Sequence, residues 1–169
     1  MTAPLIINGW TLYAHPLFLG QLNKRIEAVI ADKAKDKDSY TKKPNAKILK
    51  AISEIIFSRI PADPTLPRYR QGDTLGDDYK HWFRDKFFQQ FRLFFRYDGN
   101  AKIIIYGWIN DEKSLRAYGS KTDAYAVFSD MLRDGNPPDS WDALVTACQT
   151  EAAKEVFEDI IDKIKDTTA

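Results

Sequence analysis

One seven-residue stretch constrains the fold more than any other: Phe91, Leu93, Phe95 and Tyr97 alternate with Arg92, Phe94 and Arg96. Successive side chains of an extended chain point to opposite faces, so a period of two predicts a strand. One of its faces is apolar, and the other carries two arginines about 13 Å apart at roughly 3.3 Å per residue, expected to point away from the core. Residues 81–88 and 102–110 read as flanking strands, and Asp98 with Gly99 supplies turn chemistry that joins the last two into an antiparallel hairpin. Arg84 and Lys86 share a face of the first strand, so pairing brings four cations onto one sheet surface, a site for polyanions. The run from Phe87 to Phe91 has no glycine to loosen a turn, which leaves the register of the first two strands open.

Helical spacing governs both sides of this sheet. After an extended start over residues 10–14, Pro16 opens a helix carrying Leu19, Leu22, Ile26, Val29 and Ile30. A charged link (Lys33, Lys35, Asp36, Lys37, Asp38) precedes a second helix with Ile48, Leu49, Ile52, Ile55 and Ile56, which Pro61 is expected to stop. Residues 61–79, rich in Pro, Gly and Asp, read as a long loop, either mobile or functional. Beyond the sheet, Thr122 is the expected cap of a helix bearing Tyr125, Phe128, Met131 and Leu132, which Gly135 and the following prolines end. Ser140 then caps a terminal helix running from Trp141 through Ile164, about 36 Å long if unbroken. The fold class is therefore α+β: a small antiparallel sheet, an N-terminal helical hairpin packed on it, and additional C-terminal helices.

Chain length, 169 residues with 44% hydrophobic side chains, suits one core. The single cysteine, Cys148, with His15 and His81 falls short of a zinc cage, so neither a metal nor any other cofactor is expected. The first ten residues lack the basic-then-apolar pattern of a targeting segment and the longest apolar run spans 103–109, so the expected location is the cytoplasm, away from membranes. A net charge of +1 conceals a split: residues 1–133 carry +7 and residues 134–169 carry −6. A basic body of this kind suits nucleic acid, since attraction to phosphate follows local potential. His15 beside Pro16 reads as a capping or packing residue, and Trp82 and Trp108 as core aromatics.

Several separated blocks stand out in order along the chain: Asn8-Gly9-Trp10 with Leu12-Tyr13-Ala14-His15-Pro16, then Phe91 through Tyr97, Gly107-Trp108-Ile109-Asn110-Asp111-Glu112, Leu115-Arg116-Ala117-Tyr118-Gly119 and Lys121-Thr122-Asp123-Ala124-Tyr125. Together they resemble the YhaV toxins of the RelE superfamily. The resemblance implies a RelE-like toxin domain over residues 1–148, with residues 149–169 an acidic helical extension outside the family pattern. It implies a metal-independent messenger-RNA endoribonuclease, associated with the ribosome, that arrests translation and growth. The partner it implies is a cognate AbrB-like, swapped-hairpin antitoxin, with operator DNA reached through the toxin-antitoxin complex. In such enzymes the 2′-hydroxyl attacks the adjacent phosphate and leaves a 2′,3′-cyclic phosphate. Arg92 is the expected phosphate clamp and Arg116 the second arginine, stabilising the transition state. Lys86 and Lys121 are candidate proton handlers, and Tyr125 competes with Tyr118 for the tyrosine position. Arg84, Arg96 and Tyr118 are assigned to RNA binding. The competing reading is a module that binds RNA or DNA, or sits on an antitoxin, without cutting.

Overall fold

The computed structural model describes residues 3–117 and 120–168. Five strands form one sheet: β1 (Leu5–Ile7), β2 (Trp10–Ala14), β3 (Phe83–Phe87), β4 (Phe91–Asp98) and β5 (Ile103–Ile109), in the order β1-β2-β5-β4-β3. The hairpin pairs are antiparallel, as expected, while β2 joins β5 in parallel and makes the sheet mixed. Between β2 and the return at β3 lie α1 (Pro16–Lys35), α2 (Pro44–Glu54) and a short α3 (Ile60–Ala62). α4 (Ala124–Asp134), α5 (Trp141–Gln149) and α6 (Glu151–Thr168) follow the sheet. Among the described residues no helix is long and apolar enough to cross a membrane.

α1 starts where the sequence places it. His15 Nδ1 accepts from the Leu17 backbone N–H at 3.1 Å, and Pro16 opens the first turn, where its missing N–H costs nothing. Pro61 does not stop the second helix at once. The chain widens into a π-helical stretch at Ile55–Arg59 before reaching Ile60–Ala62, so a helix interrupted in its hydrogen-bond pattern carries past the proline. The segment from 61 to 79 is ordered: Tyr69 and Leu75 are buried, and Gln71 bonds the Tyr79 carbonyl and the Leu75 N–H.

Both faces of the sheet are covered, which corrects the expectation of a solvated arginine face. Phe91, Leu93 and Phe95 pack with α1, α2 and α6 in the larger core. Phe94, Trp82 and Trp108 pack with Phe128 and Leu132 of α4 and Leu144 of α5 in a second one. A bulge makes this second layer possible. Phe94 pairs with Trp108 but Phe95 with Tyr106, leaving Gly107 as the extra residue and returning Trp108 to the α4 face. Glycine is required there, because a Cβ would stand 2.7 Å from Trp82 Cζ3.

Further differences follow from local chemistry. Asp123, not Thr122, caps α4, and Gly135 ends it with φ 88°. Lys102, not Gly99, takes the positive φ (58°) between β4 and β5. The terminal helix breaks at Thr150, whose extended ψ of 147° ends α5 and whose Oγ1 accepts from Ala153 N to begin α6. α6 then buries Phe157, Ile160 and Ile164 in the larger core, so this extension packs as an integral layer.

Candidate active site

Tyr125, in the first turn of α4, is the meeting point of three guanidinium groups. The Asp123 carboxylate accepts from its backbone N–H at 3.0 Å and so fixes where the ring leaves the helix. From β3, Arg84 Nε donates to the Tyr125 hydroxyl oxygen at 2.9 Å; from β4, Arg92 Nε donates to the same oxygen at 3.1 Å. The register explains the convergence: Lys86 faces Arg92 and Arg84 faces Phe94, which makes Arg84 and Arg92 diagonal neighbours on one face. The third, Arg116, places its Cζ 4.8 Å from the ring centroid, and its Nη1 lies 2.5 Å from Asp123 Oδ1. Phe94 meets the ring edge-on at 5.6 Å.

The three arginines differ in exposure. Arg84 and Arg92 are buried beneath α4, with 8% and 7% of their surface exposed. Arg84 Nη1 also bonds the Arg68 carbonyl, and Arg92 Nη1 the carbonyls of Gln89 and Phe91. The Arg92 contacts brace the turn that the sequence left open. Phe88 and Gln89 there both adopt positive φ, 45° and 63°, at a cost of roughly 1–2 kcal/mol per residue. Arg92 is therefore an inner residue that holds a strained turn and a tyrosine hydroxyl, where the sequence suggests an open position facing solvent. Arg116 faces outward, lining an open cleft of about 640 Å³ with Tyr125, Asp123, Ser120, Lys121 and Arg133.

Two residues that sequence reasoning passed over set this geometry. Fully buried Asn110 takes the Arg92 N–H at 2.6 Å and donates to the Gln90 and Ser114 carbonyls, which ties the Arg116 segment to β4. Asp123 accepts from Arg116 Nη1, Ala117 N and Tyr125 N, and so orients arginine and tyrosine together. Its sequence signal was the preference of aspartate for helix caps, which competed with Thr122 next door.

Not every expected residue joins the cluster. Lys121 is exposed on the cleft rim, while Lys86 is exposed on the edge strand and lines a different cleft with Arg84. Arg96 is clasped between Trp82 and Trp141, its Cζ 5.6 and 5.2 Å from their rings, and donates to the Asp139 carbonyl. Burial lowers its pKa from the ordinary arginine value, against the pull of Asp139. Tyr118 lies outside the described residues. Among the described residues no three His, Cys, Asp or Glu side chains are grouped to hold a metal ion.

Residues 12–149 match the family of YhaV toxins, described as toxins with endonuclease activity of a toxin-antitoxin system. The chain belongs to the YhaV family. It is 45% identical over 146 residues to the toxin YhaV of Escherichia coli O6:H1, covering 85% of this chain and 95% of that protein. It is 44% identical over 146 residues to the ribonuclease toxin YhaV of Escherichia coli K12, with the same coverage. No solved structure matches it. The family match takes in Arg84, Arg92, Arg116, Asp123 and Tyr125, and it ends where α6 is about to begin.

Proposed function

We propose that this YhaV-family chain is an endoribonuclease toxin whose scissile phosphate sits in the cleft in front of Tyr125. The observation that carries the reading is the convergence of Arg84, Arg92 and Arg116 on one tyrosine at the back of an open cleft. The Tyr125 oxygen accepts from two guanidinium groups, so the proton it carries is the hydrogen bond it has left to give. Arg116, with Lys121 at the rim, contacts the phosphate and balances the negative charge that builds on the phosphorane. Arg84 and Arg92 act through Tyr125 as positioning residues. The 2′-oxygen bonds to phosphorus as its proton leaves to a base, and the bond to the 5′-oxygen breaks as that oxygen is protonated. The products are a 2′,3′-cyclic phosphate and a 5′-hydroxyl, with Tyr125 and Lys121 the groups in place to move protons.

The ribonuclease name of the K12 relative supports RNA as substrate, and the family's description supports a neutralising antitoxin. The resemblance extends the proposal to messenger RNA at the ribosome in the cytoplasm, to an AbrB-like antitoxin and to operator DNA bound through that complex. Expression of the parent, Arg116→Ala and Tyr125→Phe chains, with growth followed and RNA 5′ ends mapped, tests it. The parent is expected to arrest growth and create new 5′-hydroxyl ends, and the variants to lose both. Arrest without new ends would instead mark a module that binds RNA without cutting it.

A further inference from the structure

A second cleft, of about 450 Å³, opens along the outer edge of β3 and is lined by Arg59, Arg68, Arg70, Arg84 and Lys86 with Asp85 and Pro67. Its one carboxylate, Asp85, is taken by Arg59 at 2.6 Å. Among the described residues no carboxylate pairs with Arg68, Arg70, Arg84 or Lys86, so four cations crowd one cleft without an acidic partner. Two features hold them in place. A β-bridge between Arg70 and Phe83 fastens the preceding loop to the edge strand. Arg84, nine-tenths buried, bonds the Arg68 carbonyl with Nη1 and the Tyr125 hydroxyl with Nε, so one guanidinium joins this cleft to the tyrosine cleft.

We infer that the edge cleft is a binding site for the RNA backbone, holding phosphates on one side of the scissile position. The inference rests on the endoribonuclease reading and extends it to residues outside the Tyr125 cluster. Like charges at close quarters repel unless an anion lies between them, and guanidinium forks match phosphate oxygens in pairs. The unpaired row at the strand edge, with Arg84 at its inner end, follows a chain of phosphates leading away from Tyr125. As backbone contacts, the exposed side chains of Arg68 and Arg70 contribute affinity rather than sequence preference.

The test uses full-length protein and a 2′-O-methyl single-stranded RNA, which has no nucleophile to be cut. Binding of a ~12-nucleotide and a ~4-nucleotide probe is titrated across salt concentrations, spanning the usual site sizes for single strands. For the Arg68→Ala/Arg70→Ala double variant on the longer probe, the slope of log affinity against log salt is expected to fall in magnitude by about 1.4, from two lost phosphate contacts. On the shorter probe the variant is expected to match the parent. An unchanged slope on the longer probe, or an equal loss on both, overturns the edge cleft as a backbone site. Either result leaves the endoribonuclease reading standing, since that reading falls if the parent creates no new RNA ends or if Arg116→Ala and Tyr125→Phe still cut RNA. Equal thermal melting of parent and double variant establishes that both are folded.

Discussion

Replacing Tyr125 by phenylalanine isolates a single oxygen atom. The ring keeps its edge contact with Phe94 and its place beneath Arg116, while Arg84 Nε and Arg92 Nε both lose their acceptor. A hydrogen bond from a charged group contributes about 1.5–3 kcal/mol, so two give an upper bound of about 3–6 kcal/mol. Both guanidiniums keep carbonyl partners on Arg68, Gln89 and Phe91, which limits the desolvation left unmet. The expected loss is therefore about 2–4 kcal/mol, or a fall in melting temperature of about 5–12 °C for a domain of this size. Urea unfolding monitored by circular dichroism reads it directly, with an unchanged slope showing that the two states are the same in kind. RNA cleavage by the folded fraction is expected to fall by about a hundredfold or more if the hydroxyl moves a proton. A melting temperature within about 1 °C of the parent would refute the shared acceptor, since two buried charged donors cannot lose their partner without cost.

Gly107→Ala drives a methyl into the Trp82 ring across the bulge and is expected to cost about 1–3 kcal/mol in chemical denaturation. Burial lowers the His15 pKa below 6.5, so the stability its neutral ring contributes is present above that value and is lost as pH falls through the lower folded value. Protonation would also occupy the Nδ1 that caps α1, and His15→Asn, which keeps a capping oxygen, is expected to flatten that acid limb in melting curves between pH 4 and pH 7. A chain ended after Gln149 uncovers the core that Phe157, Ile160 and Ile164 seal, at about 1.5–3 kcal/mol per side chain. That is comparable with the whole stability of a domain, so limited proteolysis is expected to degrade the truncated chain rapidly. Exchanging the exposed acids Glu155→Gln, Glu158→Gln and Asp162→Asn together is expected to change RNA affinity less than about twofold near physiological salt, where charges more than roughly 8 Å apart are screened; filter binding checks it.

The alternation from Phe91 to Tyr97 was enough to assign faces correctly: Leu93 and Phe95 lie in one core, and Arg92, Phe94 and Arg96 face the other way. What alternation does not encode is the cover on the second face, because α4 arrives from some thirty residues downstream and is placed by tertiary packing. A clue was present in Phe94, an aromatic set between two arginines, along with Trp82 and Trp108, which were expected in a core. The helix starts at Pro16 and Ser140 were legible because a cap is a local interaction between side chain and nearby backbone. The break at Thr150 was not, since apolar spacing runs through it and only the differing destinations of α5 and α6 reveal it. At the site, residue type and the family resemblance together singled out Arg92, Arg116 and Tyr125 as candidates, yet their division into inner and outer positions depends on burial that the sequence leaves unstated.

The two covered faces decide how a nucleic acid can approach. Helices cover both faces of the sheet, so under the proposed function the RNA phosphates reach the protein at the edge of β3 and at the mouth of the Tyr125 cleft, two places where clustered cations reach solvent. The acidic α6 packs with α1 and α2 on the opposite face, so it does not mask those cations and is free to complete the core. Under the proposed function, burying Arg84 and Arg92 also has a catalytic rationale. A hydroxyl fixed by two charged donors does not have to reorient when charge develops on phosphorus, and a preorganised site avoids that reorganisation energy at the moment of reaction. The same contacts that bury the arginines thus make Tyr125 a fixed point, against which Arg116 and the RNA backbone would be aligned in the proposed reaction.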